Sequence, residues 1–94
     1  MDEELFELEI VSPEKLLFAG QVELVTLPGA KAPFTVLYNH APLVSTLCAG
    51  KIIWKVGKDK QEMSIQSGFV EVKENKVTAC VEVDFKGEKL KRKG

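Results

Sequence analysis

The feature that most constrains this chain is an alternation of apolar and polar residues with a period of two, broken every few positions by glycine, proline or asparagine. Phe6, Leu8 and Ile10 alternate with Glu7 and Glu9, and Val77, Ala79, Val81 and Val83 alternate with Thr78, Cys80 and Glu82. Successive side chains of a strand point to opposite faces, so each such run has one buried face and one wet face. Eleven valines and four isoleucines stand against six alanines. That balance suits a pleated, half-buried surface better than a helix. No stretch carries a convincing helical apolar period.

Turn residues divide the chain into short pieces. The first strand ends at Ser12-Pro13-Glu14, and residues 15–19 read as a second strand closed by Gly20. In residues 21–27, Val22 and Leu24 share one phase and Val25 and Leu27 the other, which predicts a β-bulge or a strand covered on both faces. Pro28-Gly29 stops it. Residues 34–38 form a further short strand, and residues 43–48 are ambiguous. Ile52, Trp54 and Val56 then alternate towards a polar turn at 57–60, and a hairpin returns with Met63 and Ile65 inward. Val70 and Val72 lead to a turn at Glu74-Asn75 and the last strand. About eight or more short strands with regularly spaced turns predict an all-β sandwich or barrel.

Ninety-four residues make one domain. A net charge of −1 sets up no field that would draw nucleic acid or anionic lipid. The one biased stretch is basic, residues 86–94, and is expected to be a solvated tail on a domain of residues 1–85. Met1-Asp-Glu-Glu lacks the basic and apolar regions of a leader, and no stretch approaches membrane-spanning length. The expectation is a soluble chain that touches a membrane only indirectly.

The catalytic inventory is thin. His40 is the one histidine, and Ser45 and Cys48 follow it without a nucleophile-elbow pattern. Between Asn39 and Pro42 it reads as a turn residue that hydrogen-bonds the backbone. Cys48 and Cys80 lie in apolar stretches with no ligand spacing, and read as two buried thiols rather than a metal site. Glu7, Glu9, Glu71, Glu74, Glu82 and Asp84 fall on the wet phase of their strands. Pro28-Gly29-Ala30-Lys31-Ala32 holds a single glycine and cannot cradle a phosphate. Phe6, Phe34 and Trp54 read as core, because no basic patch is interleaved with the aromatics. The expectation is no catalytic, cofactor-binding or metal site, with an interaction module as the default class. A β-module binding a small ligand, an oligonucleotide or a protein, and a small hydrolase built on His40, are the alternatives. Alanine substitution of His40 would separate the hydrolase from a binding role.

Five landmarks in order resemble the epsilon-type subunit of F-type ATP synthases. They are Leu8-Glu-Ile-Val-Ser-Pro-Glu-Lys15, Leu16-Leu-Phe-Ala-Gly20, Val25-Thr-Leu-Pro-Gly29, Phe34-Thr-Val-Leu-Tyr-Asn-His-Ala-Pro-Leu43, and Gly68-Phe-Val-Glu-Val72 followed by Asn75-Lys-Val-Thr78. The resemblance implies a two-sheet β-sandwich of about eight to ten short strands. Gly29 and Gly68 would serve tight turns or close approaches, and Pro42 a rigid passage between sheets.

Functionally, the resemblance implies a non-catalytic rotor subunit of the central stalk. Such a subunit links the gamma subunit to the c-ring and couples proton flow to ATP synthesis, on the cytoplasmic face of a bacterial inner membrane. By position, Lys31, Ala32 and Pro33 map onto the loop that meets the c-ring, and His40, Ala41 and Pro42 are a second contact candidate. The chain departs from the family pattern where Ala30-Lys-Ala-Pro33 replaces a Gly/Glu-rich loop and Thr35 replaces a glycine. It departs again where Tyr38-Asn39 replaces Pro-Gly and Ser67-Gly68 replaces Gly-Gly. Many members continue into a C-terminal helical hairpin. Here only Phe85 and Leu90 are large apolar residues after Val83, so no such hairpin is expected from these residues, nor hairpin-based restraint of ATPase or ATP binding.

Overall fold

Alternation becomes nine strands of 4 to 7 residues in the computed structural model, which describes residues 4–83. They are β1 (Phe6–Val11), β2 (Leu16–Val22), β3 (Leu24–Leu27), β4 (Phe34–Leu37), β5 (Leu43–Leu47), β6 (Gly50–Val56), β7 (Asp59–Ile65), β8 (Ser67–Lys73) and β9 (Lys76–Glu82). A five-stranded sheet has the order β2-β1-β9-β8-β5, and a four-stranded sheet has the order β4-β3-β6-β7. Every pair is antiparallel except β1 with β9, which run parallel in the middle of the larger sheet. The described residues contain no helix. The tail and domain limits expected at 86–94 and 1–85, and the position of Asp84, fall partly or wholly outside the described residues.

One face of each sheet turns inward. Phe6, Leu8 and Ile10 of β1, Val70 and Val72 of β8, and Val77, Ala79 and Val81 of β9 meet Val25, Leu27, Val36, Ile52, Trp54 and Ile65 of the smaller sheet. No polar or charged residue is buried among them. Trp54 is inward as its phase predicts, and its ring lies 4.6 Å from that of Phe18 on β2, so the two sheets are joined by an aromatic contact. Phe6 is buried and Phe34 packs partly buried against the same core.

The phase switch in residues 21–27 has a different cause from the expected bulge. Val22 ends β2 in the larger sheet and Leu24 begins β3 in the smaller one. Glu23 is the crossing residue, and its N–H donates to Lys55 O at 2.9 Å. A chain that changes sheet must reverse which phase faces the core, so the residues on both sides keep one buried face. Gly20 does not close β2 either; it lies within the strand, opposite Leu8. The bulge is in β2 instead, where Leu17 is the extra residue between Phe18, opposite Ile10, and Leu16, opposite Val11.

The other passages between sheets lie at 38–42, at 48–49 and at Gln66. Pro42 therefore stands on a sheet-changing connection, as expected. Gly29 and Gly68 serve close approach rather than positive φ. A Cβ on Gly29 would lie 2.5 Å from Ala32 O, and one on Gly68 would lie 2.9 Å from Val81 Cα.

Candidate interaction surfaces

The strand register sorts the candidate residues to two ends of the sandwich. The 28–33 loop joins β3 to β4 at one end, and the 38–42 connection leaves β4 at the other. Four residues of strand separate them, roughly 13 Å at about 3.3 Å per residue. Lys31, Ala32 and Pro33 are thus not brought together with His40, Ala41 and Pro42.

Backbone bonds hold the 28–33 loop to the start of the next passage. Ala30 N–H donates to Thr46 O at 2.9 Å, and Cys48 N–H donates to Pro28 O at 2.9 Å. Gly29 bridges Leu47. Pro28 and Gly29 are buried by this clamp, whereas Ala30, Lys31, Ala32 and Pro33 are exposed. The loop therefore projects its tip from a fixed base. Beside it opens a groove of about 550 Å³, floored by Pro28, Ala49 and Ile53 and rimmed by Lys31 and Lys51.

At the opposite end, His40 is a turn residue, as its neighbours suggest. Its N–H donates to Leu37 O at 3.1 Å, and its Nδ1–H donates to Ala41 O at 2.7 Å. The second bond fixes the ring to its own connection. Asn39, at φ 64°, takes the left-handed conformation that a glycine would supply in a Pro-Gly turn. Tyr38-Asn39 thus makes this turn without a glycine. Thr35 also finds a reason: its Oγ1 lies 2.9 Å from Thr26 Oγ1 across the β3–β4 pair.

A third surface was not singled out from sequence. The outer face of the larger sheet carries Phe69, 53% exposed, and Val44, 73% exposed. Phe69 pairs across with Thr46 on β5 and with Cys80 on β9. Phe69, Thr46 and Cys80, with Val11 and Pro13, line an apolar groove of about 460 Å³. Further along the same face the residues become charged: Glu7, Glu71, Lys73, Glu74 and Lys76. The signal was present in the sequence, since Phe69 occupies the wet phase of β8, opposite in parity to buried Val70 and Val72. A single exposed ring is ordinary, but Phe69 stands in a contiguous apolar groove, and it is such a patch that marks a contact face.

The thiols need correction. Cys80 points to this outer face and is half-buried, and Cys48 is exposed beside the 28–33 loop. Both are free. Their apolar neighbours in sequence belong to the opposite, inward phase in β9 and to a passage between sheets at 48–49. Glu7, Glu71, Glu74 and Glu82 are exposed as expected, and Glu9 is half-buried with an oxygen 3.8 Å from Lys76 Nζ. Among the described residues no cluster of three or more metal-ligating side chains occurs. No described helix is long and apolar enough to cross a membrane.

A family described as the β-sandwich domain of the ATP synthase delta/epsilon chain matches residues 5–85. The chain belongs to that family. Among its relatives, the ATP synthase epsilon chain of Leptospira borgpetersenii is 41% identical over 71 residues, covering 76% of this chain and 56% of the relative. That of Magnetococcus marinus is 38% identical over 84 residues, covering 89% and 61%. That of Caulobacter vibrioides is 42% identical over 73 residues, covering 78% and 85%. The chain thus spans little more than half the length of the first two. Two solved structures share the fold of the family's sandwich. The central stalk and c-ring structure of the Tetrahymena thermophila mitochondrial ATP synthase matches with a TM-score of 0.69 at 16% identity, covering 81% of this chain and 62% of that one. The F1 and c-ring structure of the Euglena gracilis enzyme matches with a TM-score of 0.78 at 20% identity, covering 96% and 64%.

Proposed function

We propose that this sandwich is a non-catalytic rotor part of a proton-translocating F-type ATP synthase, linking a gamma-type stalk subunit to the c-ring. It sits at the cytoplasmic face of a bacterial inner membrane through those partners. The observation that carries the reading is the apolar stripe on the outer face of the larger sheet, Val44 and Phe69 above all. A β-sandwich buries its inner faces, so a contiguous apolar groove left on an outer face, as Phe69 makes with Val11 and Pro13, is surface open to a partner. Family membership supports a stalk subunit as that partner. The stripe would dock on the gamma-type subunit, and the projecting 28–33 loop would face the ring. The 38–42 connection, with His40, Ala41 and Pro42, lies at the far end and would serve as an accessory contact.

Nothing in this role requires bond chemistry. The sandwich transmits torque because both contacts stand on one rigid body, with the loop clamped to β5 through Thr46 and Leu47. The test is reconstitution of the complex with Phe69→Asp, and separately with Lys31→Asp and Ala32→Asp. The exposed loop substitutions shift stability by under about 0.5 kcal/mol, whereas Phe69→Asp within a strand costs about 1 kcal/mol, so thermal midpoints are measured to show that it is folded. Phe69→Asp is expected to lower affinity for the gamma-type subunit, and the loop variants to lower proton pumping at unchanged thermal stability. Parent-like affinity and pumping in all three would contradict the proposal.

A further inference from the structure

The outermost strands of the two sheets are β2 and β5 in the larger and β4 and β7 in the smaller. Unpaired N–H and C=O groups line such an edge, and proteins blunt it by keeping it short or by setting charges along it. β4 has 4 residues and β5 has 5, and Gly29 bridges Leu47 at the end of β5. β7 carries Asp59, Lys60 and Glu62. β2 has 7 residues, Leu-Leu-Phe-Ala-Gly-Gln-Val, with neither a charge nor a proline. Its one blunting device is the bulge at Leu17, which leaves Phe18 to Val22 as regular edge.

The register shows which groups of β2 are open. Glu7 N–H donates to Asn75 O at 3.0 Å, so odd-numbered residues of β1 bond towards β9 and even-numbered ones towards β2. Phe6, Leu8 and Ile10 stand opposite Val22, Gly20 and Phe18, whose backbone groups therefore bond β1. Ala19 and Gln21 aim theirs the other way, and among the described residues no strand pairs with β2 on that side. Both residues are exposed.

We propose that β2 pairs with β2 of a second copy of this chain, antiparallel, about a two-fold axis at Gly20. In this register Ala19 of one copy stands opposite Gln21 of the other, and each such pair exchanges two backbone bonds. The neighbouring registers fail. An axis at Ala19 would set Gln21 against the bulge at Leu17. An axis at Gln21 would set Ala19 against Glu23, whose N–H is already bonded to Lys55 O. On the inner side Phe18 of one copy faces Val22 of the other, and no charge meets a like charge across the pair. Gly20 suits the axis because its side-chain space is taken: a Cβ there would lie 3.1 Å from Phe18 Cζ. The contact is isologous and joins the two larger sheets into one. It is independent of the rotor reading, since β2 carries neither Phe69 nor the 28–33 loop.

The test is sedimentation of the full free chain from roughly 10 μM to a few mM, the range of a weak pairing. A dimer that grows with concentration is expected. Amide exchange is followed by NMR on the same samples. The Ala19 and Gln21 amides are expected to slow about twofold or more at the highest concentration, while those of Phe18 and Gly20 stay protected throughout. Ala19→Pro is expected to abolish the dimer with the fold intact, because proline is tolerated where an edge N–H faces solvent. Ala19→Lys combined with Gln21→Lys is expected to do the same by setting like charges opposite each other, and covers the case in which the proline variant does not fold. A chain that stays monomeric at the highest concentration overturns the proposal. So does a dimer that survives both β2 variants, or one that is lost in Phe69→Asp alone, which would assign self-association to the outer face.

Discussion

Asn39 and Asn75, 36 positions apart, hold each other: Asn75 Oδ1 accepts from the Asn39 N–H at 2.7 Å, and Asn75 Nδ2 donates to Asn39 Oδ1 at 3.0 Å. Both have positive φ, 64° and 60°. The pair joins the passage between sheets after β4 to the β8–β9 hairpin turn. Asn75 O also accepts from the Glu7 N–H at 3.0 Å, which adds the start of β1. Three segments meet at one end of the sandwich through one asparagine.

This arrangement separates two contributions. Asn75→Gly keeps the left-handed backbone and removes the side-chain bonds, at a cost of about 1 kcal/mol per bond. Asn75→Ala removes the bonds and adds a left-handed penalty of roughly 1–2 kcal/mol. Urea midpoints are expected to fall in the order parent, Asn75→Gly, Asn75→Ala. Equal midpoints for the two variants would show that the backbone relaxes. A double-mutant cycle with Asn39→Gly is expected to show coupling, because the two side chains bond each other.

Glu74 holds φ 50° in the same two-residue turn, a conformation that suits Asn and Gly. Glu74→Gly relieves that strain, and the greater freedom of glycine in the unfolded chain offsets part of the gain. A net rise in stability of below about 1 kcal/mol is expected. A fall in melting temperature would mean that the carboxylate contributes more than its exposure suggests.

Trp54 closes the aromatic contact with Phe18 between the sheets and is almost wholly buried. Trp54→Ala is expected to cost about 3–5 kcal/mol, a large share of a small domain's stability. Chemical denaturation measures this directly. A parent-like midpoint would place the ring outside the core.

Gly68 lies against Cys80 and Val81 of the neighbouring strand, where a Cβ has no room. Its neighbours there are backbone atoms, which cannot move aside as a side-chain tip can. Gly68→Ala is expected to cost about 1–3 kcal/mol, the range for overpacking. An unchanged melting temperature would show that β8 shifts freely on β9.

Strand phase was legible along β1 and β9, which bury the residues that alternation picks out, and in β6 for Ile52 and Trp54; Val56, in the same phase, is exposed because it stands at the strand's end beside the 57–58 turn. It misled at residues 21–27, because alternation records which phase is buried and not which sheet buries it. Cys48 and Cys80 were misread for a related reason, since apolar neighbours say nothing of parity. The 28–33 loop was placed by resemblance, and its groove with Lys51 and Ile53 required the β3–β6 pairing, which no local pattern encodes. Phe69 was readable as an aromatic on a wet phase, but its partners Thr46 and Cys80 come from strands distant in sequence.

The two native thiols make the central claim measurable without any substitution. Cys80 lies on the outer face beside Phe69, and Cys48 lies in the groove beside the 28–33 loop. Maleimide labelling rates of both would be followed by mass spectrometry in the free chain, with the gamma-type subunit, and in the complete complex with its ring. The rotor account predicts that the gamma-type subunit alone protects Cys80, and that Cys48 becomes protected only when the ring is present. Labelling of both thiols in the complete complex at the rates of the free chain would contradict it.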